Sequence, residues 1–259
     1  MNILHAVIFG IVEGISEFLP ISSTGHLILT AQILNVSQSD FIKSFEIAIQ
    51  LGAIFSVVVL YFKSLLLDLK IIKKLIAAFI PTGIIGLIFY KIVKRFLLGN
   101  SHIVIWSLLI GGIFLIIFEL LHREKADAVN NVAAISYKQA IFIGLFQSIA
   151  IIPGVSRSAA AIVGGLSLGL KRKTIVEFSF LLAVPTMLAA TVLDLSKNMS
   201  AFTCNQFIFL LVGFSTSFIV ALLAIKFLIS FIQRHSFMAF GVYRILIALL
   251  FLFFISQGK

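Results

Sequence analysis

Glu13, Glu17, Ser22, Ser23, Thr24 and His26 crowd into one stretch, EGISEFLPISSTGH, and Arg157 stands in a second polar island, PGVSRSAA, of a chain that is 61% hydrophobic. An ionisable group inside an apolar span costs about 2.5–3.5 kcal/mol on insertion scales, so such groups pair, line a cavity or carry function. The two islands are therefore the expected active site.

Glu13 and Glu17 are four residues apart. A helix puts both carboxylates on one face, one turn apart. Two carboxylates there repel unless one is protonated, one pairs with Arg157, or a cation lies between them. A hard divalent ion such as Mg2+ or Ca2+ accepts one or two protein carboxylates and completes its shell with water and phosphate oxygens. Beyond Pro20, Ser22, Ser23, Thr24 and Gly25 offer hydroxyls and backbone N–H groups at the start of a new helix. That pattern serves either an ordinary N-cap or an anion site. His26, two to four residues on, adds a general acid or base, or an activator for a serine nucleophile. Arg157 offers a planar fork suited to bidentate phosphate binding, flanked by Ser156 and Ser158. Glu46, Glu177 and Asp194 are weaker candidates: Glu46 and Glu177 fall near the beginnings of spans, where the helix dipole favours an acid. Arg244, inside the last span, is expected to pair with one of them.

The setting follows from composition. With 259 residues, 27 Phe, 12% charged residues and a mean hydropathy of +1.17, the chain reads as one polytopic, all-α membrane domain with no separate soluble part. The N-terminal stretch has neither a basic n-region nor an A-x-A cleavage pattern and reads as retained structure. Cys204 is the only cysteine, which excludes an internal disulfide and a cysteine-based metal site. The net charge of +10 does not point to nucleic acid, because the basic residues fall in short loops between apolar segments, where they set topology and meet lipid head groups.

A spanning helix needs about 20 apolar residues. Six runs qualify, at about 41–62, 75–93, 102–121, 174–194, 205–229 and 236–256. Two more regions, 2–34 and 138–170, are apolar but broken in the middle by Pro20 with its serines and by Pro153, Gly154, Ser156, Arg157 and Ser158. Backbone that breaks at membrane depth survives only when buried in protein or lining a wet cavity. Both regions are expected to be re-entrant helical hairpins whose polar tips meet. The chain also repeats at an offset of about 133 residues: GIVEGISEFLPISS from Gly10 lies over GLFQSIAIIPGVSRS from Gly144, and FEIAIQLGAIF from Phe45 over FSFLLAVPTML from Phe178. Each half, about 1–121 and 136–257, holds one hairpin and three spans. An odd number of crossings separates the hairpins, so the halves are inverted, an architecture that puts a polar site near the midplane.

Lys63, Lys70, Lys73, Lys74, Arg123, Lys125, Lys138, Lys171, Arg172, Lys173, Lys226 and Arg234 share one side. Only Lys43, Lys91, Lys94, Arg95, Lys197 and Lys259 fall on the other. The positive-inside rule places the richer side in the cytoplasm and both termini outside.

EGISEFLPISSTGH and PGVSRS resemble the two signature regions of the undecaprenyl pyrophosphate phosphatase family, also called the bacitracin resistance protein, and the likeness extends through FEIAIQLGAIFSVVV and EFSFLLAVPTMLAATVLDL. The resemblance implies a bacterial inner-membrane enzyme that removes the terminal phosphate of undecaprenyl diphosphate and related polyprenyl diphosphates, regenerating a lipid carrier for wall synthesis and conferring resistance to bacitracin. It places the family's acidic motif on Glu13 and Glu17, its serine and histidine on Ser23 and His26, and its phosphate-binding arginine on Arg157. Glu13 and Glu17 would then hold Mg2+ or Ca2+, with Ser22, Thr24, Ser156 and Ser158 around the phosphate. The family's second motif usually continues to a threonine four residues after the arginine, where this chain has Ala161, so one hydroxyl contact is either absent or supplied by Ser158. The nucleophile, Ser23 or water, stays open, as does assembly, a homodimer included. A proton-coupled carrier or flippase for a polyprenyl phosphate shares the architecture, but paired carboxylates with Ser, His and Arg make a fuller kit for phosphoryl transfer.

Overall fold

The computed structural model of the chain describes residues 1–37, 39–93, 97, 100–198 and 204–256. Lys94, Arg95 and Lys259 of the charge count lie outside these residues, as do the side chains of Lys91, Asp194, Lys197 and Cys204. Among the described residues eleven α-helices follow one another: α1 Ile3–Ser16, α2 Ser23–Ile33, α3 Asp40–Leu60, α4 Phe62–Leu66, α5 Leu69–Ile92, α6 Ser101–Leu121, α7 Tyr137–Ser148, α8 Arg157–Ser167, α9 Arg172–Asn198, α10 Cys204–Phe231 and α11 Met238–Ser256. Among the described residues there is no β-strand, only an isolated bridge between Val129 and Leu170.

Among the described residues five helices carry stretches long and apolar enough to cross a bilayer: Phe41–Leu60, Leu69–Phe89, Ser101–Leu121, Arg172–Leu193 and Gln206–Phe231. The sixth expected span is the shorter apolar helix Met238–Phe254. Helix α5 starts several residues before the expected run at 75, because the Asp68 carboxylate caps the Lys70 and Ile71 N–H groups at 2.9 and 3.2 Å. This draws Lys70, Lys73 and Lys74 into the first turns. Lys74 is buried there and donates to the Ala133 carbonyl. The apolar surface faces outward: Leu87, Ile88, Leu120, Leu121, Leu223 and Phe253 are all exposed, as a lipid-facing shell requires.

The two broken regions form helix pairs. Helix α1 is 14 residues long and α2 is 11, both short of a span. Asn2 caps the start of α1 by accepting from the His5 N–H at 2.8 Å. Pro20, with no N–H to continue the ladder, prevents the helix from running on. The second pair is α7 and α8, of 12 and 11 residues. Helix α7 begins with a reciprocal capping box between Ser136 and Gln139 and ends in a 3-10 turn at Ile149–Ile151. Both pairs then turn through a serine with left-handed backbone, Ser22 at φ 72° and Ser156 at φ 75°. A non-glycine residue held there costs on the order of 1–3 kcal/mol, and survives only where its surroundings over-determine it.

The order of short helix, left-handed serine, 11-residue helix and three long helices thus occurs twice, and packing follows the same exchange. Helix α1 packs on α10, and α7 on α5; α3 packs on α10, and α9 on α5. Helices α3 and α9 meet each other, as do α6 and α11. Each hairpin therefore rests against a helix of the other half. Small residues make these contacts close, as is usual where lipid supplies no hydrophobic drive between helices. A Cβ on Gly10 would come within 2.7 Å of the Gly213 carbonyl, one on Gly144 would strike the Ala78 carbonyl, and one on Gly112 would lie 2.8 Å from the Gly241 carbonyl.

Candidate active site

Glu13 sits on the last turns of α1, and the Glu17 N–H donates to the Glu13 carbonyl at 2.9 Å, so the helical turn runs through both acids. Their side chains meet different surroundings. Glu13 is 0% exposed, and neither carboxylate oxygen has a hydrogen-bond donor. The charges that act on it are Glu17, Glu46 and the Arg157 guanidinium. Glu17 is fully engaged: Oε2 accepts from the Ser23 hydroxyl at 2.6 Å, and Oε1 faces Arg157 Nη2 at 3.4 Å. Arg157 also donates through Nη1 to the Ser179 carbonyl at 2.9 Å, which directs the fork from α8 across to the first hairpin.

These groups surround a cavity of about 110 Å³, lined by Glu17, Ser22, Ser23 and Thr24 from the first tip and by Ala150, Pro153, Gly154, Ser156 and Arg157 from the second, with Gln50 of α3 and Met187 of α9 closing it. The first residues of α2 and of α8 both belong to the lining. Two helix N-termini thus turn the positive ends of their dipoles toward one small space. Together with Arg157 this makes a pocket suited to an anion, with one carboxylate, Glu17, and four hydroxyl-bearing residues, Ser22, Ser23, Thr24 and Ser156, in its wall.

The structure therefore brings together most of the residues singled out from sequence: Glu17, Ser22, Ser23, Thr24, Ser156 and Arg157. Three stand apart. Glu13 lies behind Glu17 and does not line the cavity. Ser158 is wholly buried and ties the tips together, donating to the Leu19 carbonyl at 2.9 Å and lying 3.1 Å from Ser156 Oγ. Ala161 is also wholly buried, inside the apolar core, so neither residue presents a group to the cavity. His26 faces away from Ser23. Its Nδ1 lies 2.7 Å from the Ser22 carbonyl and its Nε2 2.8 Å from the Tyr243 hydroxyl. A carbonyl only accepts, so Nδ1 carries the proton and Nε2 accepts from Tyr243. The rings of His26 and Tyr243 lie parallel, 5.5 Å apart.

Arg244 does not take the carboxylate partner expected of it. It is buried and donates instead to the carbonyls of Ser107, Leu108, Gly154 and Val155 at 2.9 to 3.4 Å. Glu177 has its own partner, Lys173, one turn back at 4.0 Å. Gln50, Tyr243 and Met187 are the contributors that spacing did not reveal. Gln50 stands in FEIAIQLGAIF as a polar residue in an apolar span, which is a signal; Tyr243 and Met187 carry none, since aromatic and Met side chains are ordinary in membrane helices.

A divalent ion fits the acids. The two Glu13 oxygens are buried without a donor, and Glu17 stands one turn away beside the cavity. Among the described residues no third His, Cys, Asp or Glu completes a metal-holding group with them, so the remaining positions would fall to water and substrate oxygens, as Mg2+ prefers.

Fold and pocket define a polytopic helical membrane protein whose buried anion site is assembled from the tips of two broken helix pairs. Residues 6–250 match the family described as Bacitracin resistance protein BacA, and the chain belongs to that family. It is similar to the undecaprenyl-diphosphatases of Aquifex aeolicus, 56% identical over 247 residues (95% of this chain and 96% of that protein), Sulfurihydrogenibium, 53% identical over 251 residues (97% and 98%), and Persephonella marina, 51% identical over 255 residues (98% and 100%).

Proposed function

We propose that this chain is an undecaprenyl-diphosphatase, hydrolysing undecaprenyl diphosphate to undecaprenyl phosphate and inorganic phosphate in the bacterial inner membrane. The observation that carries the reading is the convergence of Glu17, Ser23 and Arg157, from two hairpins, on one anion pocket. The near full-length likeness to proteins of that name supports it. Arg157 and the N-termini of α2 and α8 bind the terminal phosphate and stabilise the charge that develops on its oxygens. The Ser23 hydroxyl already donates to Glu17. In this reading Ser23 Oγ attacks phosphorus, its proton passes to Glu17, and the bridging P–O bond breaks to release undecaprenyl phosphate. Water then cleaves the phosphoserine. His26 holds the Ser22 carbonyl and through it the loop that carries Ser23. Glu13 and Glu17 are the residues that would hold Mg2+ or Ca2+, and such an ion supplies neutralisation of the diphosphate. The polyprenyl tail stays among the lipid-facing helices. The bias of basic residues puts both termini, and the mouth of the first hairpin, on the outer face.

The test is inorganic phosphate released from undecaprenyl diphosphate by purified protein in detergent, with Mg2+ or EDTA, for wild type, Glu17→Ala and Arg157→Ala. Metal-dependent release that vanishes in both variants is expected. A folded wild type that binds the lipid without releasing phosphate would sink the enzyme in favour of a carrier.

A further inference from the structure

The pocket depends on two turns that are unfavourable by themselves. Ser22 and Ser156 both hold left-handed backbone, and each directly precedes a pocket residue, Ser23 or Arg157. What over-determines them lies on one distant helix. Tyr243 donates to His26 Nε2, and His26 Nδ1 donates to the Ser22 carbonyl, so the first turn is held from α11 through an imidazole. Arg244, the next residue, donates to the Gly154 and Val155 carbonyls at 3.0 and 2.9 Å, the two residues before Ser156. Its remaining bonds go to Ser107 and Leu108 of α6, and α6 is locked in register with α11 where Gly112 meets Gly241. Neither Tyr243 nor Arg244 lines the cavity. A guanidinium that is only 1% exposed and spends its donors on carbonyls has no role in binding phosphate directly. Its planar fork instead reaches two chain segments at once, which a lysine cannot do.

We propose that Tyr243 and Arg244 are positioning residues: adjacent on α11, they hold one hairpin tip each and so set the spacing of Glu17 and Arg157 across the pocket. This rests on the phosphatase reading for its consequence in catalysis, while the clamp itself is a statement about the tips.

Three variants loosen the clamp by different means. Arg244→Lys keeps the charge and loses the fork. Gly111→Ala leaves Arg244 in place but drives a methyl group into its Nη2, so the idea stays open to refutation where the lysine variant does not fold. Tyr243→Phe removes only the hydroxyl. Leu246→Ala, on the exposed face of α11, is the control. Amide hydrogen exchange of the full chain in detergent is expected to quicken in residues 149–158 for Arg244→Lys and Gly111→Ala, and in residues 18–26 for Tyr243→Phe, with α3 and α10 unchanged. For phosphate release from undecaprenyl diphosphate with Mg2+, kcat is expected to fall about 10- to 100-fold with KM within about threefold. Arg244→Lys combined with Arg157→Lys should lose less than the product of the single losses. Wild-type exchange and kcat in Arg244→Lys would overturn the proposal, as would faster exchange spread through α3 and α10, or losses that multiply. A wild type that releases no phosphate but shows the tip-specific pattern strikes the phosphatase reading and leaves the clamp standing. An active wild type with unaltered variants strikes the clamp alone.

Discussion

Glu13 and Glu17 are the same residue type one turn apart, yet their surroundings give them opposite energetics. Glu17 has both oxygens partnered, whereas the Glu13 oxygens are buried without a donor. Glutamine at 13 keeps the volume and removes a buried acid that stands against Glu17. In metal-free detergent Glu13→Gln is expected to raise stability by about 1 kcal/mol, read as a higher thermal midpoint, while Mg2+-dependent phosphate release is lost. An unchanged or lower midpoint would show that the acid is satisfied in some other way. Ser158→Ala should act through the fold, because its hydroxyl bridges to the Leu19 carbonyl and stays out of the cavity. Its expected effect is a loss of about 1–2 kcal/mol on thermal unfolding with phosphate release per folded molecule preserved. Sequence alone put Ser158 on the phosphate. Ionisable residues in apolar surroundings mark a site, but a hydroxyl beside an arginine reads the same whether it faces a ligand or staples two loops. For the same reason Arg244 was legible as unusual and not as a partner of carbonyls, since the chain does not announce which buried cations find backbone.

At the scale of elements, the two turns make similar demands on two serines and offer them different compensation. Ser156 Oγ accepts from the Ala159 N–H at 3.3 Å, whereas Ser22 makes no side-chain cap bond. Glycine relieves left-handed strain at both positions but removes a cap only at 156. Ser22→Gly is therefore expected to leave stability level or to raise it by up to about 1 kcal/mol, and Ser156→Gly to lower it relative to Ser22→Gly by about 1 kcal/mol. Denaturation of both variants side by side in the same detergent checks the order, and the reverse order would refute it. Gly144→Ala should separate α7 from α5, with a loss of about 1–3 kcal/mol or a protein that does not accumulate. The broken helix pairs were readable because Pro20 and Pro153 interrupt runs too apolar for loops. Their serines' backbone was not: glycine marks such turns in a sequence, and although Gly154 does turn left-handed, at φ 92°, Ser22 and Ser156 take the same sign of φ with a side chain in place.

For the whole molecule, the helices and their order were readable because a span has a length and a composition. Which helix touches which was not. Nothing in the residues of α1 names α10 as its neighbour; only the repeat hinted that the halves interlock, and close glycine contacts between them are visible only in the packing. The orientation yields a prediction at this scale. Single cysteines added at either end of a Cys204→Ser chain should react with a membrane-impermeant maleimide in spheroplasts, whereas one at the exposed Glu124 should react only after lysis. Labelling at 124 alone in intact spheroplasts would invert the assignment and move the mouth of the first hairpin to the cytoplasm. The contact of α1 with α10 carries a further consequence, for the growing chain. Ile3–Ser16 leaves the ribosome about 200 residues before the helix it packs on, Cys204–Phe231. At about 5–20 residues per second, the first hairpin and its two acids wait roughly 10–40 seconds for the surface that buries them.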